Sequence, residues 1–363
     1  MKPWCTEPFI TLENKVWGDW GLCCRSKPLP YNAKDVSPLD HFNGDTMKRI
    51  RKDMSNNNIT DDIKHYCQKC IDHENIGITS RRQQKLNFPI PEMESDGTIK
   101  NFAFETIEVK FFGNLCNLKC KMCSGMYSSS IAADEKKKGN WTGPTYFNIY
   151  EQMQDKDQFY SDMSKILPYT KKIKFTGGEP TMNQGIADFI TWVSDNNFSQ
   201  NMILKIITNG TRISPQINQC SRKFKRFEVA VSVDGTFEID EYQRVGTVFS
   251  DVVENIKMYK RIADVGIGPV ITALNVGNVP ELARLGKMLN VGVDFSSIVL
   301  WPDHMRVEVL PIGYRKELLE SYDYPKEIKT ALENPNFNLK SFQKLLFTNP
   351  DLCVIIEGLA KWI

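Results

Sequence analysis

The sequence is poor in the features that mark membrane, secreted and nucleic-acid-binding proteins. No apolar run reaches the roughly 18 residues that a membrane helix requires. The first residues also lack the charged start and apolar stretch of a signal peptide. Lysine and arginine number 46 against 44 aspartates and glutamates, and the net charge of +2 does not favour a polyanion partner. We therefore expect a cytoplasmic protein that binds neither membranes nor nucleic acids.

Histidine is scarce, since the chain has only four, and none of them has metal-ligand spacing. Cysteine, in contrast, occurs ten times. Disulfides are rare in a reducing compartment, so these cysteines need another explanation. Seven of the ten fall into groups with ligand-like spacing, which favours metal binding.

The composition is that of a globular protein with material for a large core, because 41% of the residues are hydrophobic. A length of 363 residues suggests two or three domains. Residues 1–100 are rich in Pro, Asn and Asp and hold five cysteines, which predicts a small domain held by metal. Residues 101–310 alternate strand and helix patterns, and residues 311–363 have amphipathic helical patterns.

The middle of the chain predicts an α/β fold. Helical periodicity connects six apolar runs, so right-handed crossovers should give a parallel sheet with helices outside. Six strands, rather than eight, predict a partial (β/α)6 TIM-like barrel that is open along one side. Ligands of such folds lie at the carboxyl ends of the strands. The predicted strands are Thr106–Phe111, Lys172–Phe175, Ile203–Thr208, Glu228–Val233, Pro269–Leu274 and Phe295–Leu300, and the predicted helices include residues 186–193, 250–263 and 280–289.

Three cysteines follow the first predicted strand in the pattern Cys116-x3-Cys120-x2-Cys123. Thiolates are the usual ligands of iron–sulfur clusters, and three of them can hold three irons of a cubane. The fourth iron then has no protein ligand and is open to a small molecule. The alternative is a zinc site, although structural zinc usually takes four ligands in two pairs.

The next three strands all end in polar residues. The second is followed by Phe175-Thr-Gly-Gly-Glu-Pro180, the third ends at Thr208-Asn209-Gly210, and the fourth ends at Ser232-Val-Asp234-Gly235. Paired glycines allow the backbone to approach a ligand, and a glutamate can accept a hydrogen bond from an ammonium group. Each segment alone could be an ordinary turn. Their occurrence behind a cysteine triplet favours a binding site.

Taken together, these motifs resemble those of the radical S-adenosylmethionine (SAM) enzymes over residues ~105–300. The cysteine triplet matches the defining motif of that family, and the Gly-Gly-Glu-Pro turn matches its second signature. Met122 stands where the family usually has an aromatic residue, and it can still pack against an adenine ring. The resemblance implies a 4Fe–4S cluster whose open iron binds SAM, and a 5′-deoxyadenosyl radical that abstracts a hydrogen atom from the substrate.

The resemblance also implies which residues contact SAM. Thr176, Gly177, Gly178 and Glu179 form the turn that would hold its amino group, and Asn209 and Ser232 would face its ribose and carboxylate. Arg244 could pair with the carboxylate in a fork geometry or form a surface salt bridge. Asn275 is a further candidate at the end of the fifth predicted strand. The sequence does not locate a catalytic acid or base.

The amino-terminal cysteines resemble those of twitch and SPASM domains, which hold auxiliary iron–sulfur clusters. The shared features are the spacing Cys5-x12-Gly18-x4-Cys23 and the pair Cys67-x2-Cys70. The resemblance implies a second 4Fe–4S cluster with Cys5, Cys23, Cys67 and Cys70 as ligands. A zinc site on the same thiolates is the alternative, and Cys24 could replace Cys23.

We therefore expect a radical SAM enzyme with one auxiliary cluster. Relatives with twitch or SPASM domains often modify peptides or protein side chains, so we expect a peptide or protein substrate and a reducing partner such as a flavodoxin or ferredoxin. The alternatives are the same radical chemistry on a small molecule, such as a sugar or aminoglycoside, and a non-catalytic iron–sulfur electron carrier.

Overall fold

The computed structural model describes residues 4–75, 77, 79–356 and 358–362. The chain forms two compact units, each assembled from three segments. The first unit comprises Met1–Cys116, Ala132–Ile207 and Ser214–Glu228, and the second comprises Asn117–Ile131, Thr208–Ile213 and Val229–Ile363. Within the described residues, no helix combines the length and apolar character needed to cross a membrane.

The strands are short and most lie in a parallel sheet. In chain order they are β1 Thr11–Asn14, β2 Asp19–Gly21, β3 Pro28–Asn32, β4 Thr106–Val109, β5 Lys119–Cys120, β6 Lys172–Phe175, β7 Ile203–Thr208, β8 Arg226–Val231, β9 Arg244–Val245, β10 Asp264–Ile267 and β11 Gly292–Val293.

Helices connect most of the strands and fill the carboxyl-terminal segment. They are α1 Glu7–Ile10, α2 Pro38–Phe42, α3 Asp45–Ser55, α4 Asp61–Asn75, α5 Arg81–Lys85, α6 Ser129–Lys137, α7 Ile149–Gln152, α8 Lys156–Ile166, α9 Gln184–Asp195, α10 Pro215–Ser221, α11 Glu238–Gln243, α12 Phe249–Tyr259, α13 Val279–Leu289, α14 Ile312–Ser321, α15 Lys326–Glu333, α16 Leu339–Thr348 and α17 Leu352–Ile355. Single 3₁₀ turns lie at Leu167–Tyr169, Pro180–Met182, Val276–Asn278, Asp303–Met305, Val307–Val309 and Leu359–Trp362.

In the first unit the sheet runs in the order β8-β7-β6-β4-β1-β2-β3. Strands β7, β6, β4 and β1 are parallel neighbours, whereas β2 and β3 extend the sheet as an antiparallel hairpin. Ile107 of β4 pairs with Ile173 of β6, and Phe175 of β6 pairs with Ile206 of β7. Alternate residues of β6 and β7 are buried, because one face of these strands packs under helices.

Helix α9 shows how the sequence specifies this packing. Asn183 caps its amino terminus by accepting from the Ile186 amide, and the Asn183 side-chain amide donates to the Phe112 carbonyl at 2.7 Å. Phe189 and Val193, which lie on the same helix face, are fully buried. Burying each of these side chains contributes roughly 1.5–3 kcal/mol.

In the second unit the end of β8 lies beside β10, and β10 lies beside β11. Strands β5 and β9 form a separate antiparallel pair. The core of this unit combines residues of the strand-and-turn region with residues of α14–α17. Ile271, Leu310, Ile328 and Leu345, for example, are all fully buried.

The predicted α/β class is confirmed, with a mostly parallel sheet. Two predicted strands, Lys172–Phe175 and Ile203–Thr208, have the predicted ends. The first predicted strand ends at Val109, two residues early, and the fourth is displaced to Arg226–Val231. Each of the three predicted helical segments coincides with a helix to within a few residues.

The last two predicted strands were placed too late in the sequence. The fifth strand is Asp264–Ile267, and it ends before Pro269, which has no amide hydrogen to continue the ladder. The sixth is Gly292–Val293, and it ends where the Ser296 amide donates to the Asp294 side chain in a turn. The predicted runs still approach each other, because Ile271 and Ile298 form an isolated parallel bridge.

Candidate functional site

The backbone that leads to Cys116 is fixed by the first unit. Gly113 has a φ of +98°, and a side chain there would collide with the Phe147 carbonyl oxygen. The next residue, Asn114, is fully buried, donates to the Thr145 carbonyl at 3.1 Å and accepts from the Phe147 amide. The sequence at these positions therefore holds the chain in one path up to Cys116, which is half-buried.

The Gly-Gly-Glu-Pro turn packs directly against that path. The Glu179 amide donates to the Leu115 carbonyl at 2.6 Å, one residue before Cys116. Gly178 has a φ of +57°, and a Cβ there would lie only 2.5 Å from the Leu115 carbonyl oxygen. The two motifs that the sequence analysis singled out therefore meet backbone to backbone in the first unit.

The remaining residues of the turn are placed as follows. Thr176 donates its amide to the Val109 carbonyl at the end of β4, and Gly177 adopts a φ of +94°. Glu179 is almost fully buried, and its Oε1 accepts from the Thr181 amide at 3.0 Å and from the Thr181 hydroxyl at 2.7 Å. The turn thus presents half-buried backbone next to a fixed carboxylate.

Cys120 and Cys123 belong to the second unit. Cys120 lies in β5 and pairs with Arg244 of β9. The Lys121 amide donates to the Gln243 carbonyl at 2.8 Å, and the Cys123 amide donates to the Cys120 carbonyl at 2.9 Å. Both cysteines are half-buried.

Arg244 is buried and does not form the surface salt bridge that the sequence left open. It is 7% exposed, and its Nε lies 2.7 Å from Asp234 Oδ2, although the N–H is not aimed at the oxygen. Its guanidinium also donates to Cys120 Sγ at 3.7 Å. Burial alone would lower the pKa of Arg244, but the charge of Asp234 outweighs it and raises that pKa.

A second buried carboxylate, that of Asp240, lies next to Asp234. Asp240 is fully buried, and its Oδ1 accepts from the Asp234 amide at 2.7 Å. Burial raises the pKa of Asp240 to about 6, partly offset by the positive charge of Arg244.

Asn209 and Ser232 lie where the sequence analysis placed them, at the ends of β7 and β8. The Asn209 side chain donates to Asn117 at 2.9 Å and accepts from the Thr211 amide at 3.0 Å. Ser232 is half-buried, and its amide donates to the Thr208 carbonyl at 2.8 Å. Both residues are therefore held in place within the second unit.

Asn275 and Met122 pack into the second unit. Asn275 is fully buried, donates to the carbonyls of Asp234 at 2.6 Å and Val270 at 2.9 Å, and accepts from the Thr272 amide at 2.7 Å. In this arrangement Asn275 supports the Asp234 turn. Met122 is half-buried and contacts the hydrophobic core of the unit.

Four amino-terminal cysteines gather in the first unit. Cys5, Cys23, Cys67 and Cys70 line one largely enclosed cavity. Cys67 and Cys70 share a face of α4 because they are three residues apart. Burial raises the pKa of the Cys5 and Cys23 thiols well above the usual range and that of Cys67 to about 12. Across the described residues, no group of three or more His, Cys, Asp or Glu side chains is arranged to hold a metal ion.

The adjacent cysteines, Cys23 and Cys24, have different surroundings. Cys23 lines the cavity and is electrostatically coupled to Cys5, whereas Cys24 does not line it. Burial raises the pKa of Cys24, and its charged neighbours are Glu108, Arg81, Lys174 and Lys110. Of the two, Cys23 is therefore the one that shares a cavity with Cys5, Cys67 and Cys70.

A chain of buried charges on the sheet of the first unit was not predicted from the sequence. Lys110 contacts Glu13 at 2.5 Å and Glu108 at 2.8 Å, and Lys174 contacts Glu108 at 3.1 Å. Burial raises the pKa of Glu13, whereas the two lysines hold the pKa of Glu108 below its usual value despite burial. The signal that could have revealed this network is the placing of charged residues at alternate positions of otherwise apolar strands.

Comparison with protein families identifies the chain. The Radical SAM superfamily model matches residues 111–293, just over half of the sequence. The chain belongs to the radical SAM superfamily. The predicted membership is thereby confirmed, and it implies a 4Fe–4S cluster and SAM as cofactors and supports an enzymatic role. The matched region contains both motifs that meet at Leu115 and Glu179.

Several solved structures of radical SAM proteins resemble parts of this chain. One is "Native anSMEcpe with bound AdoMet and Cp18Cys peptide", with 18% identity and a TM-score of 0.43 over 60% of this chain and 58% of that chain. Another is SuiB of Streptococcus suis bound to precursor peptide SuiA, with 12% identity and a TM-score of 0.37 over 88% of this chain and 69% of that chain. The chain spans between 56% and 60% of the first three structures that it matches. A comparison with curated proteins finds no match.

Proposed function

We propose that this radical SAM protein cleaves SAM reductively and uses the resulting radical to abstract a hydrogen atom from a peptide or protein side chain. The observation that carries the proposal is the backbone contact between the two family motifs. The Glu179 amide donates to Leu115, so the turn that follows β6 is fixed beside the first cluster cysteine.

We assign Cys116, Cys120 and Cys123 as the ligands of the SAM-binding cluster. Their thiols are half-buried and follow one another within eight residues, which suits a 4Fe–4S cubane with one open iron. When bound, this cluster supplies one electron to SAM, which splits into methionine and a 5′-deoxyadenosyl radical. We expect the electron to come from a low-potential protein such as a flavodoxin or ferredoxin.

The protein's own residues bind and orient SAM. Backbone atoms of Thr176, Gly177 and Gly178 can approach the amino group closely, because the two glycines have no side chains to obstruct it. The buried Glu179 carboxylate can accept a charge-assisted hydrogen bond from that ammonium group. Asn209 and Ser232 are assigned to the ribose and carboxylate.

Two further predicted SAM contacts have structural surroundings of their own. Met122 can lie against the adenine, because its flexible side chain is half-buried at the surface of the second unit's core. Asn275 is assigned an indirect role, since its side chain is occupied with the backbone around Asp234.

The four amino-terminal cysteines are proposed to hold an auxiliary 4Fe–4S cluster. Support comes from the cavity that Cys5, Cys23, Cys67 and Cys70 line together, because four thiols spread over a cavity wall suit the four corners of a cubane. Complete ligation by protein favours electron transfer over direct substrate binding. The spacing of these cysteines resembles that of twitch and SPASM domains, and relatives with such domains often modify peptides or protein side chains. This resemblance is the reason to propose a peptide or protein substrate.

Anaerobic reconstitution followed by incubation with dithionite and SAM tests the chemistry. We expect 5′-deoxyadenosine and about eight irons per chain. Cys116→Ala should abolish the nucleoside, whereas Cys220→Ala is a matched control, because Cys220 is buried and contacts Thr191 outside both cysteine groups. Reconstituted protein that makes no 5′-deoxyadenosine with or without cell extract would refute the proposed activity.

The substrate class has a separate test. A peptide fraction of cytosol should stimulate 5′-deoxyadenosine formation, and prior digestion of that fraction with a broad protease should remove the stimulation. Stimulation by the low-molecular-mass filtrate instead, insensitive to protease, would show that the substrate is a small molecule such as a sugar.

A further inference from the structure

One cluster cysteine has a buried cation beside it. The ladder between β5 and β9 sets Cys120 opposite Arg244, and the guanidinium of Arg244 donates to Cys120 Sγ at 3.7 Å. Arg244 is only 7% exposed. The cation therefore lies within hydrogen-bonding reach of a ligand sulfur, and the pairing of the two strands places it there.

A fixed anion holds the guanidinium in this place. Asp234 is fully buried, and its Oδ2 lies 2.7 Å from Arg244 Nε. The other carboxylate oxygen of Asp234 accepts from the Val270 amide at 2.6 Å, and Asn275 binds the Asp234 carbonyl. Asp234 and Asn275 thus form a rigid frame behind Arg244.

The contacts of Arg244 with Asp234 and Cys120 bear on whether it can also bind the SAM carboxylate. A guanidinium that binds the SAM carboxylate as a fork must present two N–H groups to it. Here one side of the guanidinium faces Asp234 and the other reaches Cys120. The contacts therefore give Arg244 a role toward the cysteine sulfur, whereas a fork on the SAM carboxylate would have to use the remaining Nη hydrogens.

We propose that Arg244 is a positioning residue that raises the reduction potential of the SAM-binding cluster, with Asp234 as the counter-charge that limits the increase. The inference rests on the proposed function, because it requires Cys120 to be a cluster ligand. Hydrogen bonds to ligand sulfurs and nearby charge are the protein's main means of setting such potentials.

The direction of each effect follows from charge. Adding one electron makes the cluster more negative, so a cation beside Cys120 stabilises the reduced form and makes reduction easier. Removal of Arg244 also leaves the negative charge of Asp234 without its counter-charge, which adds to the loss. Removal of the Asp234 charge has the opposite effect, because it leaves Arg244 uncompensated.

The test is an anaerobic redox titration of the full-length reconstituted protein without SAM, followed by electron paramagnetic resonance. The signal of this cluster is identified in a parallel sample as the component that SAM alters. We expect Arg244→Gln to lower the reduced-to-oxidised ratio at a fixed potential about tenfold, which corresponds to about 59 mV for a one-electron couple. Asp234→Asn should shift the midpoint in the opposite direction, and Arg244→Lys, which keeps the charge, should shift it less than Arg244→Gln.

Arg315→Gln is the matched control. Arg315 is a buried arginine of the same unit that donates to the carbonyls of Leu310 and Leu332, so its loss breaks buried hydrogen bonds that involve no cysteine. Its midpoint should equal that of the wild type.

Opposite shifts for Arg244→Gln and Asp234→Asn support the inference, because general damage to the fold would move both in one direction. An unchanged midpoint in Arg244→Gln, or a shift of the same sign in both variants, would overturn it. If Arg244→Gln fails to take up iron, Asp234→Asn decides the question alone, and an unchanged or lowered midpoint overturns the inference. A wild-type protein whose signal does not respond to SAM would instead refute the proposed function.

Discussion

The two adjacent cysteines at the auxiliary site should behave in opposite ways when each is replaced by alanine. Cys23 lines the cavity shared with Cys5, Cys67 and Cys70, whereas Cys24 does not line it and has Glu108 of β4 and Lys174 of β6 among its charged neighbours. We therefore expect Cys23→Ala to lose about four of about eight irons and Cys24→Ala to keep them all.

The stability difference between the variants should be as informative as the iron count. Ser26 and Lys15 bind the backbone carbonyl of Cys23, and alanine preserves both of these contacts. Removing the buried sulfur should by itself cost about 1 kcal/mol of unfolding free energy. A bound cluster contributes folding free energy as well, so the loss in the reconstituted protein should be several kcal/mol.

The assay combines iron analysis with anaerobic denaturant unfolding of reconstituted and chelator-treated protein. Chelator-treated wild type and Cys23→Ala should differ by only about 1 kcal/mol, because neither holds the auxiliary metal. Loss of iron from Cys24→Ala with full retention in Cys23→Ala would refute the assignment. Zinc in place of four irons in the wild type would show that the same thiolates form a zinc site.

Three further predictions concern single positions. Cys120→Ala should abolish 5′-deoxyadenosine formation while about four irons per chain remain at the auxiliary site, and complete loss of iron would contradict separate sites. Gly178→Ala should weaken SAM binding at least about tenfold, because its Cβ would collide with the cysteine loop, whereas Gly139→Ala, at a φ of +77° with no atom within 4 Å, is the control for backbone strain alone. Burial lowers the pKa of His41 from 6.5 to about 3, so the unfolded chain takes up the proton first and stability should fall by on the order of 5 kcal/mol between about pH 6.5 and 3. His41→Phe, which keeps the stacking on Trp20, should remove most of that dependence in unfolding titrations, and an unchanged pH profile would contradict this.

The central part of the fold was predictable because its signals are local. Strands β6 and β7 alternate buried and half-buried residues, and this period of two is visible in the sequence. Likewise, Cys116, Cys120 and Cys123 lie within eight consecutive residues, so their spacing alone reveals the motif. The family match then confirmed the superfamily that this spacing indicated.

The amino-terminal strands could not be predicted in the same way. Strand β1 has four residues and no alternation, and its parallel partner β4 lies about ninety residues further along the chain. Strand β3 contains two prolines, which are poor strand formers. Only the tertiary pairing identifies these segments as part of the sheet.

The directions in which side chains point could not be predicted from the sequence either. Sequence spacing could not tell which way Cys23 and Cys24 point, and it could not show that Arg244 is buried against Asp234. Arg244 was expected either at the SAM carboxylate or on the surface, because its separation of ten positions from Asp234 gave no indication of a contact. Such pairings depend on how strands and turns pack, which spacing does not specify.

The most direct test of the account is electron paramagnetic resonance of the dithionite-reduced protein with and without SAM. If Cys116, Cys120 and Cys123 hold a cluster with an open iron, SAM should change the spectrum of the wild type. The same addition should leave the spectrum of Cys116→Ala unchanged. A wild-type spectrum from iron-loaded protein that does not respond to SAM would contradict the account.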